Sequence, residues 1–140
     1  MAQNITKSVQ DLLNEAEDEV ETISVREALA LYKDPGVVFV DLRDIGELER
    51  EGIVPGAFHC PRGLLEFWID PNSASHKRFF NQDKRYVFFC AGGLRSALSA
   101  QSAQRMGLKP VSHLAGGFGA WKRAGAPITF PEHAPGEDQA

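Results

Sequence analysis

Tyr86-Val87-Phe88-Phe89-Cys90-Ala91-Gly92-Gly93-Leu94-Arg95-Ser96 contains the change of pattern that decides the fold. Its first half is an apolar run too short for a helix and rich in aromatic and β-branched side chains, the composition of a strand buried on both faces. The run stops at a cysteine and two glycines. From Leu94 to Met106 the apolar positions Leu94, Ala97, Leu98, Ala103 and Met106 recur at close to helical spacing, so the order is strand, tight loop, helix. Cys90 is thereby placed where a strand's carboxyl end meets a helix's amino end, and there several backbone N–H groups lack intrahelical acceptors. Gly92 and Gly93 are expected to take positive φ and curl the loop into an amide-lined concavity, its partial positive potential reinforced by the helix macrodipole. Such a concavity suits an anion. A cysteine at a helix N-terminus beside an arginine is favoured as the nucleophilic thiolate, and Arg95 either adds fixed charge or braces the loop.

The segment Cys90-Ala91-Gly92-Gly93-Leu94-Arg95-Ser96 resembles the active-site loop of the rhodanese family of sulfurtransferases, in which a cysteine opens a six-residue loop ending in arginine. Val38-Phe39-Val40-Asp41-Leu42-Arg43-Asp44 followed by Glu47 is similar to the family's aspartate-x-arginine signature. Gly52-Ile53-Val54-Pro55-Gly56-Ala57 is similar to its glycine-histidine-isoleucine-proline-glycine-alanine segment, with Ile53 in place of the histidine, so no polar role carries over to that position. Leu114-Ala115-Gly116-Gly117-Phe118-Gly119-Ala120-Trp121 resembles its C-terminal glycine-glycine-x-x-x-tryptophan turn. The landmarks stand in the family's order from about Ile23 to Ile128. The resemblance implies a single-domain thiosulfate sulfurtransferase with Cys90 as nucleophile, Ala91, Gly92, Gly93, Leu94, Arg95 and Ser96 as the persulfide-holding loop, and Asp41, Arg43 and Glu47 as scaffold for that loop.

At 140 residues the chain suits one domain with one site. A net charge of -4 and the lack of any lysine and arginine run argue against a nucleic-acid surface. The two cysteines form neither a CxxC pair nor a zinc-like spacing with histidines, so no disulfide framework or metal site is expected, and the resemblance to sulfurtransferases implies no organic cofactor. The acidic N-terminus has no apolar signal core and no run long enough to span a bilayer, which makes the expected location cytoplasmic, with no membrane partner.

Residues 4–20 carry Ile5, Val9, Leu12, Leu13, Ala16 and Val20 at three- and four-residue intervals with acids opposite, the pattern of an amphipathic helix. That helix either packs on the domain or offers its stripe to a second subunit or partner; the oligomeric state stays open. Ser24 to Glu27 and Asp44 to Glu47 read as capping boxes opening helices over Val25–Lys33 and to about Glu51. Strands are expected at Val37–Leu42, Ala57–His59 and Val111–Leu114, short helical turns over Arg62–Asp70 and Ser75–Phe80, a helix C-cap at Gly107 and a closing helix at Gly117–Arg123. Alternating short strands and helices favour parallel pairing with right-handed crossovers, hence an α/β fold: a central parallel sheet covered by helices on both faces, plus the extra N-terminal helix. The expected organisation is residues 1–21 as that helix, 22–130 as the rhodanese-like domain and 131–140 as a disordered tail. In such sheets ligands sit at the carboxyl ends of strands, where Asp41 and Cys90 both fall.

Cys60 precedes Pro61 outside any amide-rich loop and reads as a buried spectator thiol. Arg62, Phe67 and Trp68 follow the second strand back toward the same end of the sheet and are candidate pocket residues, with plain surface charge and core packing as the competing readings. His59, His76 and His113 lie in separate segments and read as surface or satisfied polar residues. The expected reaction passes a sulfur from a small anion such as thiosulfate through a Cys90 persulfide to a nucleophilic acceptor, cyanide or a thiol, including a protein thiol. A cysteine phosphatase or arsenate reductase would place five residues between cysteine and arginine, whereas only Ala91 to Leu94 intervene here. A non-catalytic binding or regulatory module is the other alternative.

Overall fold

A computed structural model describes residues 2–131 of the chain. The tail expected at 131–140 lies, from residue 132 on, outside the described residues. The elements are α1 (Val9–Glu19), β1 (Glu21–Ile23), α2 (Val25–Leu31), β2 (Val37–Asp41), α3 (Ile45–Glu51), β3 (Phe58–His59), α4 (Leu65–Ile69), β4 (Arg85–Phe89), α5 (Leu94–Met106), β5 (Val111–Leu114) and α6 (Gly117–Arg123), with single 3-10 turns at Arg62–Leu64 and Arg78–Phe80. The five strands form one parallel sheet in the order β1-β5-β4-β2-β3. The architecture is α/β, as the alternation of elements implied.

Period-two alternation sorts the strand side chains onto two cores. Val40, Tyr86, Phe88 and Val111 face Leu65 and Ile69 of α4 and Ala100 and Ala103 of α5. Phe39, Val87, Phe89 and Leu114 face the other way, onto Ala28 of α2 and Phe118 and Trp121 of α6. Phe88 and Phe89 are fully buried on opposite faces, each contributing roughly 1.5–3 kcal/mol by leaving water. Cys90 and His113, two residues beyond Phe88 and Val111, carry that alternation toward the α5 side.

Sequence signals account for most of the ends. Ser24 and Glu27 bond each other's backbone N–H groups at 3.1 and 3.0 Å, and Glu47 accepts from the Asp44 N–H at 2.8 Å. Gly107 ends α5 at φ 107°. Three expectations need correction. The first helix begins at Val9 rather than near Asn4, because Ser8 and Asp11 form a capping box there and leave Ile5 exposed. It packs on α5 through Leu13 and Ala16 against Ala97 and Leu98, while Val9 and Leu12 stay exposed. Residues Glu21–Ile23, not expected as a strand, pair with β5. The helix expected to reach Lys33 stops at Leu31.

Candidate active site

β4 brings Cys90 to the carboxyl end of the sheet beside β2, whose last residue, Asp41, pairs with Phe89. The cysteine segment and the Asp41–Glu47 segment therefore meet at one end of the fold. The loop turns sharply at Gly93, which has φ 98° and caps α5. A Cβ there would also stand 3.2 Å from the Gly116 nitrogen. Gly92 does not share this conformation, and a Cβ on it would meet nothing within 4 Å. Of the two glycines expected at positive φ, the backbone requires one.

The Gly93 N–H donates to Cys90 Sγ at 3.2 Å, and Ser96 Oγ lies 3.6 Å from the same sulfur. Among the described residues these are the sulfur's hydrogen-bond partners, a smaller set than the ring of loop amides expected from Ala91 to Ser96. Cys90 is 1% exposed, whereas Ala91, Gly92 and Leu94 are exposed, so burial gives way to solvent within one residue of the sulfur.

The loop is braced from behind. At the start of α6, the N–H groups of Phe118 and Gly119 donate to the carbonyls of Cys90 and Ala91 at 2.8 and 3.0 Å. A peptide's N–H points opposite its C=O, so pinning these carbonyls also fixes the orientation of the amides that follow them. Gly117 makes this approach possible. It has φ 56°, and a Cβ on it would fall 2.4 Å from the Cys90 carbonyl oxygen.

Arg95 explains its own placement at a helix amino end, where a cation opposes the macrodipole. Its guanidinium forks onto Glu47, with Nη1 to Oε2 and Nη2 to Oε1 both at 2.9 Å, tying α5 to α3. The fork pulls the Glu47 carboxyl down to about 2, with burial opposing and the Asp44 N–H assisting; Glu47 in turn raises Arg95 further above its ordinary value. Asp41 and Arg43 form a second, fully buried pair: Nη2 to Oδ2 is 2.7 Å and Nε to Oδ1 is 3.0 Å. Arg43 Nη2 also donates to the Gly52 carbonyl at 2.9 Å, and the guanidinium lies 4.1 Å over the Phe118 ring. Beside the loop, Arg43, Glu47, Arg50, Ala91, Phe118 and Lys122 help line a cleft of about 280 Å³.

The remaining candidates stand apart from that cleft. Arg62 is paired with Glu66 at 2.9 Å, and Glu66 accepts from Ser102 Oγ of α5 at 2.6 Å. Phe67 is exposed, and Trp68 packs edge-on to Phe58 with Lys77 over its ring. Cys60 is fully buried, and burial pushes its thiol up to about 12.

His113, read from sequence as a bland polar residue, is joined to the sulfur through one hydroxyl. Its Nδ1 lies 3.1 Å from Ser96 Oγ, and its Nε2 lies 3.1 Å from both Thr22 Oγ1 and Glu17 Oε1. The available signal was a histidine inside a short strand that begins with Val111 and ends with Leu114, a place where an imidazole needs polar partners.

Residues 24–124 match the family described as Rhodanese-like domain. A sulfurtransferase of Allochromatium vinosum is 30% identical over 115 residues, covering 82% of this chain and 97% of that protein. A thiosulfate sulfurtransferase/rhodanese-like domain-containing protein 3 of Mus musculus is 27% identical over 104 residues, 71% of this chain and 66% of the mouse protein. Among solved structures, a protein of unknown function from Rhodopseudomonas palustris, described as a possible tyrosine phosphatase, is 55% identical with a TM-score of 0.89, covering 92% of this chain and 99% of that one.

Proposed function

The chain belongs to the rhodanese-like domain family, and from that membership we propose that it is a sulfurtransferase in which Cys90 carries the sulfur. The observation that carries the reading is the placement of Cys90 Sγ at the opening of a short loop, with the Gly93 N–H 3.2 Å away and the loop closed by the Arg95–Glu47 fork. The Cys90 thiolate attacks the outer sulfur of a donor such as thiosulfate; the donor's S–S bond breaks and sulfite leaves with the electron pair. The terminal sulfur of the resulting persulfide is anionic, and the Gly93 N–H, which donates to Cys90 Sγ, is placed to stabilise that charge. Cyanide or a thiolate then attacks that sulfur and leaves with it, restoring the Cys90 thiolate. Two half-reactions through a covalent intermediate require ping-pong kinetics.

Intact-mass measurement after incubation with thiosulfate tests this. The expected result is a gain of about 32 Da, one sulfur, on the native chain, none on Cys90→Ser, and reversal by cyanide. An unchanged mass on the native chain would sink the reading.

The description of the Rhodopseudomonas relative favours a second reading, phosphate-ester hydrolysis. Two features weigh against it here. Only Ala91, Gly92, Gly93 and Leu94 separate cysteine from arginine, a narrower cradle than a tetrahedral phosphoryl group needs. Two of the five N–H donors of Arg95 are turned onto Glu47. Turnover of an aryl phosphate without any sulfur uptake would reverse the order of the two.

A further inference from the structure

We propose that His113 and Glu17 form the proton acceptor for Cys90, with the Ser96 hydroxyl as the link between thiol and imidazole. This rests on the reading of Cys90 as the nucleophile. Directionality follows from the donors available. The Thr22 hydroxyl donates its single hydrogen to Glu17 Oε2 at 2.7 Å, so toward His113 its oxygen can only accept. Glu17 is a carboxylate and also only accepts, so Nε2 of His113 carries the hydrogen, shared between Thr22 Oγ1 and Glu17 Oε1 at 3.1 Å each. Nδ1 of the neutral ring is then the acceptor and the Ser96 hydroxyl donates to it at 3.1 Å. The lone pairs left on Ser96 Oγ face the Cys90 thiol at 3.6 Å.

Every hydrogen in the chain from Cys90 to Glu17 thus points one way, toward α1. Activation moves two protons by one bond each. The Cys90 S–H bond breaks as an O–H bond forms on Ser96, and the original Ser96 O–H bond breaks as an N–H bond forms at Nδ1. The products are a thiolate, an unchanged serine and an imidazolium paired with Glu17. Burial lowers the affinity of His113 for a proton and Glu17 opposes that, so the resting ring is the neutral acceptor and gains its counter-ion from Glu17 when charged. The groups facing the ring are Glu17 from α1, Thr22 from β1 and Ser96 from α5, with Phe88 of β4 as its strand partner; of these only Glu17 is titratable, and Cys90 is reached through Ser96. His113 touches no reacting atom, so it is a positioning and proton-holding residue acting through Ser96.

The test is the rate of iodoacetamide labelling at the Cys90 peptide, read by mass spectrometry at pH 7 and pH 9.5, for the native chain, His113→Asn and Glu17→Gln. Asparagine keeps a hydrogen-bonding group near Nδ1 without a base. Glutamine replaces a half-exposed carboxylate, so this variant remains informative if the buried one does not fold. At pH 7 labelling is expected to fall by on the order of tenfold in His113→Asn and about threefold in Glu17→Gln. At pH 9.5, where hydroxide removes the proton directly, both should match the native chain. Native rates at pH 7 in Glu17→Gln, or an equal slowing at both pH values in the variants, would overturn the relay. Labelling does not depend on sulfur transfer: a relay confirmed here with no mass gain from thiosulfate would remove the sulfurtransferase reading alone, and a mass gain with unaltered labelling would remove the relay alone.

Discussion

Substituting Gly117 by alanine isolates the brace behind the Cys90 loop. Two costs apply. At φ 56° a side chain adds about 1–2 kcal/mol of left-handed strain. The new Cβ would stand 2.4 Å from the Cys90 oxygen and 2.9 Å from the carbonyl carbon and oxygen of Ala91, all backbone atoms that cannot rotate aside. Relief requires the loop to retreat by about 1 Å, which lengthens the bonds from Phe118 and Gly119 to those carbonyls, each contributing roughly 1 kcal/mol. The expected loss is about 3–4 kcal/mol in urea unfolding, or a melting point lowered by roughly 10 °C for a domain of this size. Gly56→Ala is the control, because it has φ 84° but a Cβ there would meet nothing within 4 Å; its loss should stay near 1–2 kcal/mol. Sulfur uptake by any folded Gly117→Ala should fall on the order of a hundredfold, since the retreating carbonyls carry the loop amides with them. Equal stability losses at positions 117 and 56 would refute the claim that the approach of α6 holds the loop.

Glu47 ties stability to acid pH. Its carboxyl is pulled from 4.5 to about 2 in the folded chain, so its contribution is complete above 4.5 and disappears as pH falls toward 2. Because Arg95 is partly exposed, the contribution is about 1–2 kcal/mol after solvent screening. The urea midpoint of the native chain should therefore drop more steeply than that of Glu47→Gln between pH 5 and 2.5, and parallel curves would contradict the fork. Arg43→Met leaves Asp41 buried without its cation and should cost about 3–5 kcal/mol; a loss below about 1 kcal/mol would show that the buried pair does not hold this end of the sheet.

The parts of the fold legible in the sequence are those with local causes. Capping boxes at Ser24 and Asp44, the apolar runs of β2 and β4 and the glycine after Met106 depend on neighbours within a few residues, and all appear where expected. β1 is not legible in the sequence because three residues with Glu21 and Thr22 exposed carry no alternation long enough to read; β5 makes it a strand. Gly92 and Gly93 look equivalent in sequence, and only the closeness of the Gly116 nitrogen and the turn into α5 separates them. Arg62, Phe67 and Trp68 follow β3 in sequence toward the site's end of the sheet, but Glu66 and the aromatic packing around Phe58 claim Arg62 and Trp68. His113 could not be connected to Cys90 because the link runs through Ser96 on one element and Glu17 on another, brought together only by the β4–β5 pairing and the packing of α1 on α5.

The stretch matching the family begins at residue 24, after α1 and β1 have ended. Yet β1 occupies the outermost place beside β5, and every residue of β5 is buried. A chain trimmed to the matching stretch would leave β5 with a bare row of unpaired backbone donors and acceptors, the kind of rim along which two copies zip together and precipitate. The leading twenty-odd residues are in this sense a gasket: β1 covers that rim and leaves in its place a shorter edge of three residues.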